Sequence, residues 1–165
     1  MKTICLISIL SGCIVFGFSC KKSNTANNYE VFSSIPIYMF VENAQGQSLL
    51  NSATKGYYDA SKIRKYDLID GQAKLYYRPN LTWYNGLTVT NQMGNIYLVV
   101  IPNVDSEESP TTTYIDWGNG DKDTLMCAMT KSESGYFNQV TDIWYNGTKV
   151  YPENAVGDKA FKVVK

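Results

Sequence analysis

Histidine is absent from the 165-residue chain. Without it there is no imidazole base for a Ser-His-Asp or Cys-His nucleophile, and no His-ligated zinc site. Cysteine is scarce: only Cys5, Cys13, Cys20 and Cys127 occur. The first three crowd the N-terminal end, so Cys127 stands alone in the body of the chain. An internal disulfide of the body and a cysteine zinc site are thereby excluded. Net charge is lacking as well, with 15 basic and 15 acidic residues and no long block of one sign. A basic nucleic-acid face and a polyelectrolyte tail are not expected. Helical periodicity is also missing: no window of about 11 residues carries an apolar stripe. An enzyme would have to work through carboxylates, Lys or Tyr. Glu107-Glu108 and Asp121/Asp123 lie in polar, turn-like segments where solvated charge is the simpler reading. Nothing in the spacing marks a glycosidase pair, which is defined in space rather than in sequence. The chain reads as a non-enzyme that needs no cofactor.

What is present begins with an export signal. Lys2 supplies a positive start, and Ile4 to Phe16 is mostly apolar. Gly17 and Ser19 are the small residues that precede a cleavage site. The run is shorter than the roughly 20 apolar residues of a membrane span, and no later segment comes close to that length. Cys20 follows directly, and KKSNTANN (21–28) then turns polar. A generic secretory signal has no need of a cysteine there. Gly17-Phe18-Ser19-Cys20 resembles a relaxed bacterial lipobox of the kind common in Bacteroidetes, with Gly where Leu is usual. Leu10-Ser11-Gly12-Cys13 fits the usual pattern better. It would, however, leave too short an apolar region before it and a greasy Ile14–Phe18 after it. Cys20 is therefore the expected lipidation site and membrane anchor, since two or more acyl chains give stable attachment. Residues 1–19 read as the lipoprotein signal peptide, 20–29 as the lipidated N-terminus and flexible tether, and 30–165 as one domain of ordinary size.

Along that domain the period is two, not 3.6. Ile35, Ile37, Met39 and Val41 alternate with Pro36, Tyr38, Phe40 and Glu42. AKLYYR (73–78), IYLVVI (96–101), TTYIDW (112–117), DTLMCAMT (123–130), QVTDIWY (139–145), TKVY (148–151) and AFKVVK (160–165) read as further strands. IYLVVI is apolar on both parities, which predicts a central strand. Gly118-Asn119-Gly120 and Asn146-Gly147 are hairpin turn signals. ASKIRKY (60–66) has room for one short turn, and DSEESPTT (105–112) reads as a polar loop. Cys127 shares its parity with Leu125 and Met129, so it is expected to be a small buried hydrophobe. The fold class predicted is all-β, a single-domain antiparallel β-sandwich.

FVENAQGQSLLN, SKIRKYDLIDGQ, TTYIDWGNGDKDTL, VTDIWYNGTKVY and a final FKVVK occur in that order. This succession resembles an uncharacterised family of small envelope lipoproteins of gut Bacteroidetes. The resemblance covers most of the chain after the signal. It implies an immunoglobulin-like β-sandwich in the cell envelope, lipid-anchored and at the outer membrane, and brings no catalytic residue with it.

Three features bear on function. The aromatic load is high, with 13 Tyr, 3 Trp and 6 Phe. Tyr76, Tyr77, Trp83 and Tyr84 cluster within nine positions and are the candidate ligand-binding residues. Exposed rings stack on sugars; the competing reading is that aromatics favour strands and fill cores. One ring of the adjacent pair Tyr76/Tyr77 must point outward. Asp116 to Asp123 (DWGNGDKD) carries oxygens that Ca²⁺ accepts, but the spacing is not that of an EF-hand. A plain hairpin turn, of the Trp/Gly/Asp kind seen in PKD-type sandwiches, outweighs a metal site. Asn80-Leu-Thr82 and Asn146-Gly-Thr148 are formal glycosylation sequons read here as turn chemistry. The leading expectation is non-catalytic binding of a glycan or partner protein. The alternative is a structural or accessory subunit of an envelope assembly, with the terminal FKVVK strand pairing in trans.

Overall fold

The alternation of Ile37, Met39 and Val41 becomes β1 (Ile37–Glu42), with those three side chains buried and Tyr38, Phe40 and Glu42 facing the other way. The computed structural model describes residues 35–131 and 137–165, all within one unit, Val31–Lys165. The expected signal peptide, Cys20 and the tether lie outside the described residues. Among the described residues every regular element is a strand: β2 (Arg64–Ile69), β3 (Gln72–Leu75), β4 (Leu87–Gln92), β5 (Asn95–Val100), β6 (Thr111–Asp116), β7 (Lys122–Lys131), β8 (Phe137–Tyr145), β9 (Thr148–Tyr151) and β10 (Ala160–Val164).

They form two sheets, a four-stranded one in the order β10-β1-β5-β4 and a six-stranded one in the order β3-β2-β6-β7-β8-β9. The core lies between them. Met39, Leu98, Val100 and Phe161 from the smaller sheet meet Ile115, Leu125, Cys127 and Ile143 from the larger. The all-β sandwich is the fold the sequence predicts. β5 sits inside its sheet between β1 and β4, with Tyr97 to Val100 all buried, as its doubly apolar pattern requires. Pairing is antiparallel throughout except between β1 and β10, which run parallel from Tyr38↔Ala160 to Glu42↔Val164.

The structure adds to these readings and corrects one strand bound. The strand read over 73–78 ends at Leu75; one further ladder bond, Tyr76 N to Lys65 O, follows before the chain crosses to β4 in the other sheet. β2 and β4 were not legible as strands. In the segment read as one short turn, a turn does occur, Lys62 N bonding Asp59 O at 2.9 Å, but strand begins at Arg64. The terminal FKVVK segment forms β10, the edge strand of the four-stranded sheet, paired with β1 on one side, and Lys165 N continues the ladder to Glu42 O at 2.9 Å.

Candidate functional site

Two crossovers close the side of the sandwich where β3 and β4 form the sheet edges. One, residues 76–86, joins β3 to β4; the other, 101–110, joins β5 to β6. The first is a closed loop. Arg78 N donates to Tyr84 O at 2.6 Å, Leu81 N to Arg78 O at 3.1 Å, and Gly86 N to Trp83 O at 2.8 Å. That closure brings the four aromatics of the sequence cluster together, yet sorts them by exposure. Tyr77 is 62 % exposed and Tyr84 51 %. Their rings meet edge to face, 5.9 Å apart and 76° between planes. Trp83 is half-buried and packs against the core, so it supports the loop rather than presenting a free face. Tyr76 is buried, which removes it from any ligand-facing platform. Strand alternation decides this pair: Tyr76 N still bonds Lys65 O at 2.9 Å, so Tyr76 takes the inward position and Tyr77 the outward one.

The underside of the loop is polar and dry. Lys65 and Asp67, both on the inward parity of β2, form an ion pair of 2.5 Å and are almost wholly buried. The Lys65 ammonium stands 4.0 Å from the centre of the Tyr76 ring, a cation–π contact. Thr113 Oγ1 donates to Asp67 Oδ1 at 2.9 Å. Burial pulls the Lys65 amine down and the Asp67 carboxyl up, and the attraction within the pair works against both shifts. Removing one partner of such a pair costs about 3–5 kcal/mol, because the other charge is left buried. Gly86 caps this layer with φ +69°, and a Cβ there would stand 2.9 Å from Lys65 Cδ and from Tyr76 Cδ1. Only glycine satisfies both the left-handed backbone and the close approach. The turn signal Asn85-Gly86 thus sets the height of the aromatic loop above its floor.

At the rim, Arg78 forms an ion pair and hydrogen bond with Asp105 of the second crossover, both side chains about one-third exposed. Asn103 fixes that crossover, donating to Leu68 O at 2.8 Å and accepting from Asp105 N at 3.1 Å and Ser106 N at 3.2 Å. Two exposed rings beside a guanidinium and a carboxylate make a surface that can stack on a sugar face and hydrogen-bond its hydroxyls.

The DWGNGDKD segment is the hairpin turn between β6 and β7, with Trp117 N bonded to Asp121 O at 3.0 Å. Its carboxylates are engaged by protein donors. Asp123 accepts from Trp117 Nε1 at 2.5 Å, from the Tyr145 hydroxyl, from Asn146 Nδ2 at 2.7 Å, and from Lys165 Nζ at 2.5 Å. Asp121 accepts from Tyr58 at 3.0 Å and Lys165 at 2.6 Å. Among the described residues no group of three or more His, Cys, Asp or Glu side chains is placed to hold a metal ion. Cys127 is buried and unpaired, and burial raises its thiol well above the ordinary range. No family model matches the chain, and neither curated proteins nor solved structures give a match.

Proposed function

We propose that the chain is a lipid-anchored protein of the cell envelope whose immunoglobulin-like sandwich binds a glycan without catalysis, through Tyr77 and Tyr84. The observation that carries this reading is the exposed edge-to-face pair, held on a hydrogen-bonded loop beside the Arg78–Asp105 ion pair. Large exposed aromatics on a loop already closed by backbone hydrogen bonds lose less entropy when they bind. Catalysis has little support: Lys65 and Asp67, whose ionisation burial perturbs in opposite directions, are sealed under the loop. The anchor rests on Cys20 at the small-residue boundary, and the location at the outer membrane on the resemblance to envelope lipoproteins. The test is retention on immobilised polysaccharides. Tyr77→Ala and Tyr84→Ala should each weaken retention while the melting temperature stays within a few degrees of wild type. Failure of the wild-type protein to be retained on any of them ends the glycan reading.

A further inference from the structure

The apolar side of the aromatic pair does not stop at Tyr77. Because the β2–β3 ladder runs on to Tyr76, Leu75 and Tyr77 share the outward face, and Leu75 is 54 % exposed. Leu75 lies directly across from Tyr66 on β2, and Tyr66 directly across from Tyr114 on β6. Tyr66 and Tyr114 are both partly exposed. With Ala73 and Lys122 they line an open groove of about 360 Å³ on the outer face of the six-stranded sheet. The sequence pattern hides this strip, since Tyr66 and Tyr114 face away from the core on interior strands and Leu75 lies on an edge strand exposed along its whole length.

The strip has length, and the charges along it are engaged by protein groups. From Leu75 to Tyr114 is two interstrand spacings of roughly 4.8 Å, and from Leu75 to Tyr77 a strand step of roughly 6.6 Å. The 5.9 Å between the Tyr77 and Tyr84 rings comes in addition. That run exceeds any single sugar ring. The cations bordering it are already engaged: Lys122 lies 3.3 Å from Asp116, Arg78 is paired with Asp105, and the Arg64 guanidinium donates to Ser61 O at 2.7 Å and Ile63 O at 2.9 Å. An acidic ligand would have to draw one of these cations from its present partners, whereas an uncharged one uses the rings and leaves those contacts in place.

We propose that Leu75, Tyr66 and Tyr114 extend the Tyr77–Tyr84 site into a strip for an extended, uncharged polysaccharide chain. This rests on the glycan-binding reading and adds to it the chain length and charge class of the ligand. The purified full-length protein in detergent micelles is titrated with soluble neutral polysaccharides (β-glucan, xylan, mannan), with disaccharides and hexasaccharides cut from each, and with polygalacturonate. The expected result is binding of at least one neutral polymer, with the hexasaccharide tighter than the disaccharide. Tyr114→Ala and Leu75→Ser should weaken hexasaccharide binding roughly five- to ten-fold and leave disaccharide binding unchanged, while Tyr77→Ala weakens both. Equal affinity for short and long sugars, with Tyr114→Ala indifferent, overturns the strip and leaves the Tyr77–Tyr84 site standing. Binding of no neutral glycan overturns both. Tighter, salt-sensitive binding of polygalacturonate overturns the uncharged class. Self-association that Tyr114→Ala abolishes makes this face a contact between copies instead.

Discussion

Asp123 is one carboxylate shared by four donor residues, Trp117, Tyr145, Asn146 and Lys165. Burial pushes its carboxyl up. The hydrogen bonds from Asn146, Lys165, Tyr145 and Trp117 outweigh that and hold it below the ordinary carboxylate range. A carboxyl whose folded-state pKa is depressed stabilises the fold above its unfolded-state value, about 3.9, and that contribution is lost as pH falls through the lower folded value. The melting temperature of Asp123→Asn should therefore lie furthest below wild type near neutrality, and the gap should close below about pH 4. A gap of constant size across a pH series of thermal melts would show that the carboxylate is not the source. Trp83 makes a second residue-scale case. Its ring packs against the core, so Trp83→Ala should lower stability by about 1–3 kcal/mol, less than the roughly 3–5 kcal/mol of a fully buried aromatic. Tyr84→Ala, from an exposed ring, should cost within about 0.5 kcal/mol in the same urea titration. Equal losses would mean that the loop does not divide the two side chains between support and display.

At the scale of elements, the sequence is legible where an apolar parity faces the core. β1, β5, β7 and β10 were found from alternation or from doubly apolar runs, and the hairpin between β6 and β7 from its glycines. β2 was not, for a physical reason. Its inward residues are Lys65 and Asp67 and its outward ones include Tyr66 and Leu68, so its pattern is the inverse of a half-buried strand. The inversion is tolerated because the two charges satisfy each other and Thr113. β4, with Leu87 its one fully buried side chain, carries too weak a signal to separate from loop. The candidate cluster was legible as a group, because turn residues and adjacent aromatics stand close in sequence. Its division into exposed and buried rings was legible only for the pair Tyr76/Tyr77, through strand parity. The outward row from Leu75 to Tyr114 depends on which strands are neighbours, which no local pattern contains. β7 supplies a test of strand parity. Cys127 should react with a thiol reagent only after unfolding, since its side chain is buried and its thiolate disfavoured by burial. Rapid reaction under native conditions would put the wrong face of β7 in the core.

For the whole molecule, the proposal is a lipid anchor joined to a glycan-binding face. The anchor is argued from Cys20, the thiol that follows Gly17-Phe18-Ser19. Cys20→Ala should abolish incorporation of a fatty-acid probe and leave the signal uncleaved, whereas Cys13→Ala should not; loss of label in Cys13→Ala alone would move the anchor. The face is argued from the loop that spans the sheets. Its floor is the Lys65–Asp67 pair, its height is set by Gly86, and its display is Tyr77 and Tyr84. Because the two rings are exposed while Lys65 and Asp67 are buried, the proposed binding is separable from folding here in a way it would not be for a core aromatic. The most direct measurement is therefore a paired one on the full-length protein: calorimetric titration with the neutral polysaccharide that retains it best, beside a thermal melt, for wild type and the Tyr77→Ala/Tyr84→Ala double variant. The account predicts at least about a ten-fold loss of affinity, more than 1 kcal/mol, with the melting temperature moved by no more than a few degrees. Unchanged affinity in the double variant, or a loss of affinity that merely follows early unfolding, would contradict it.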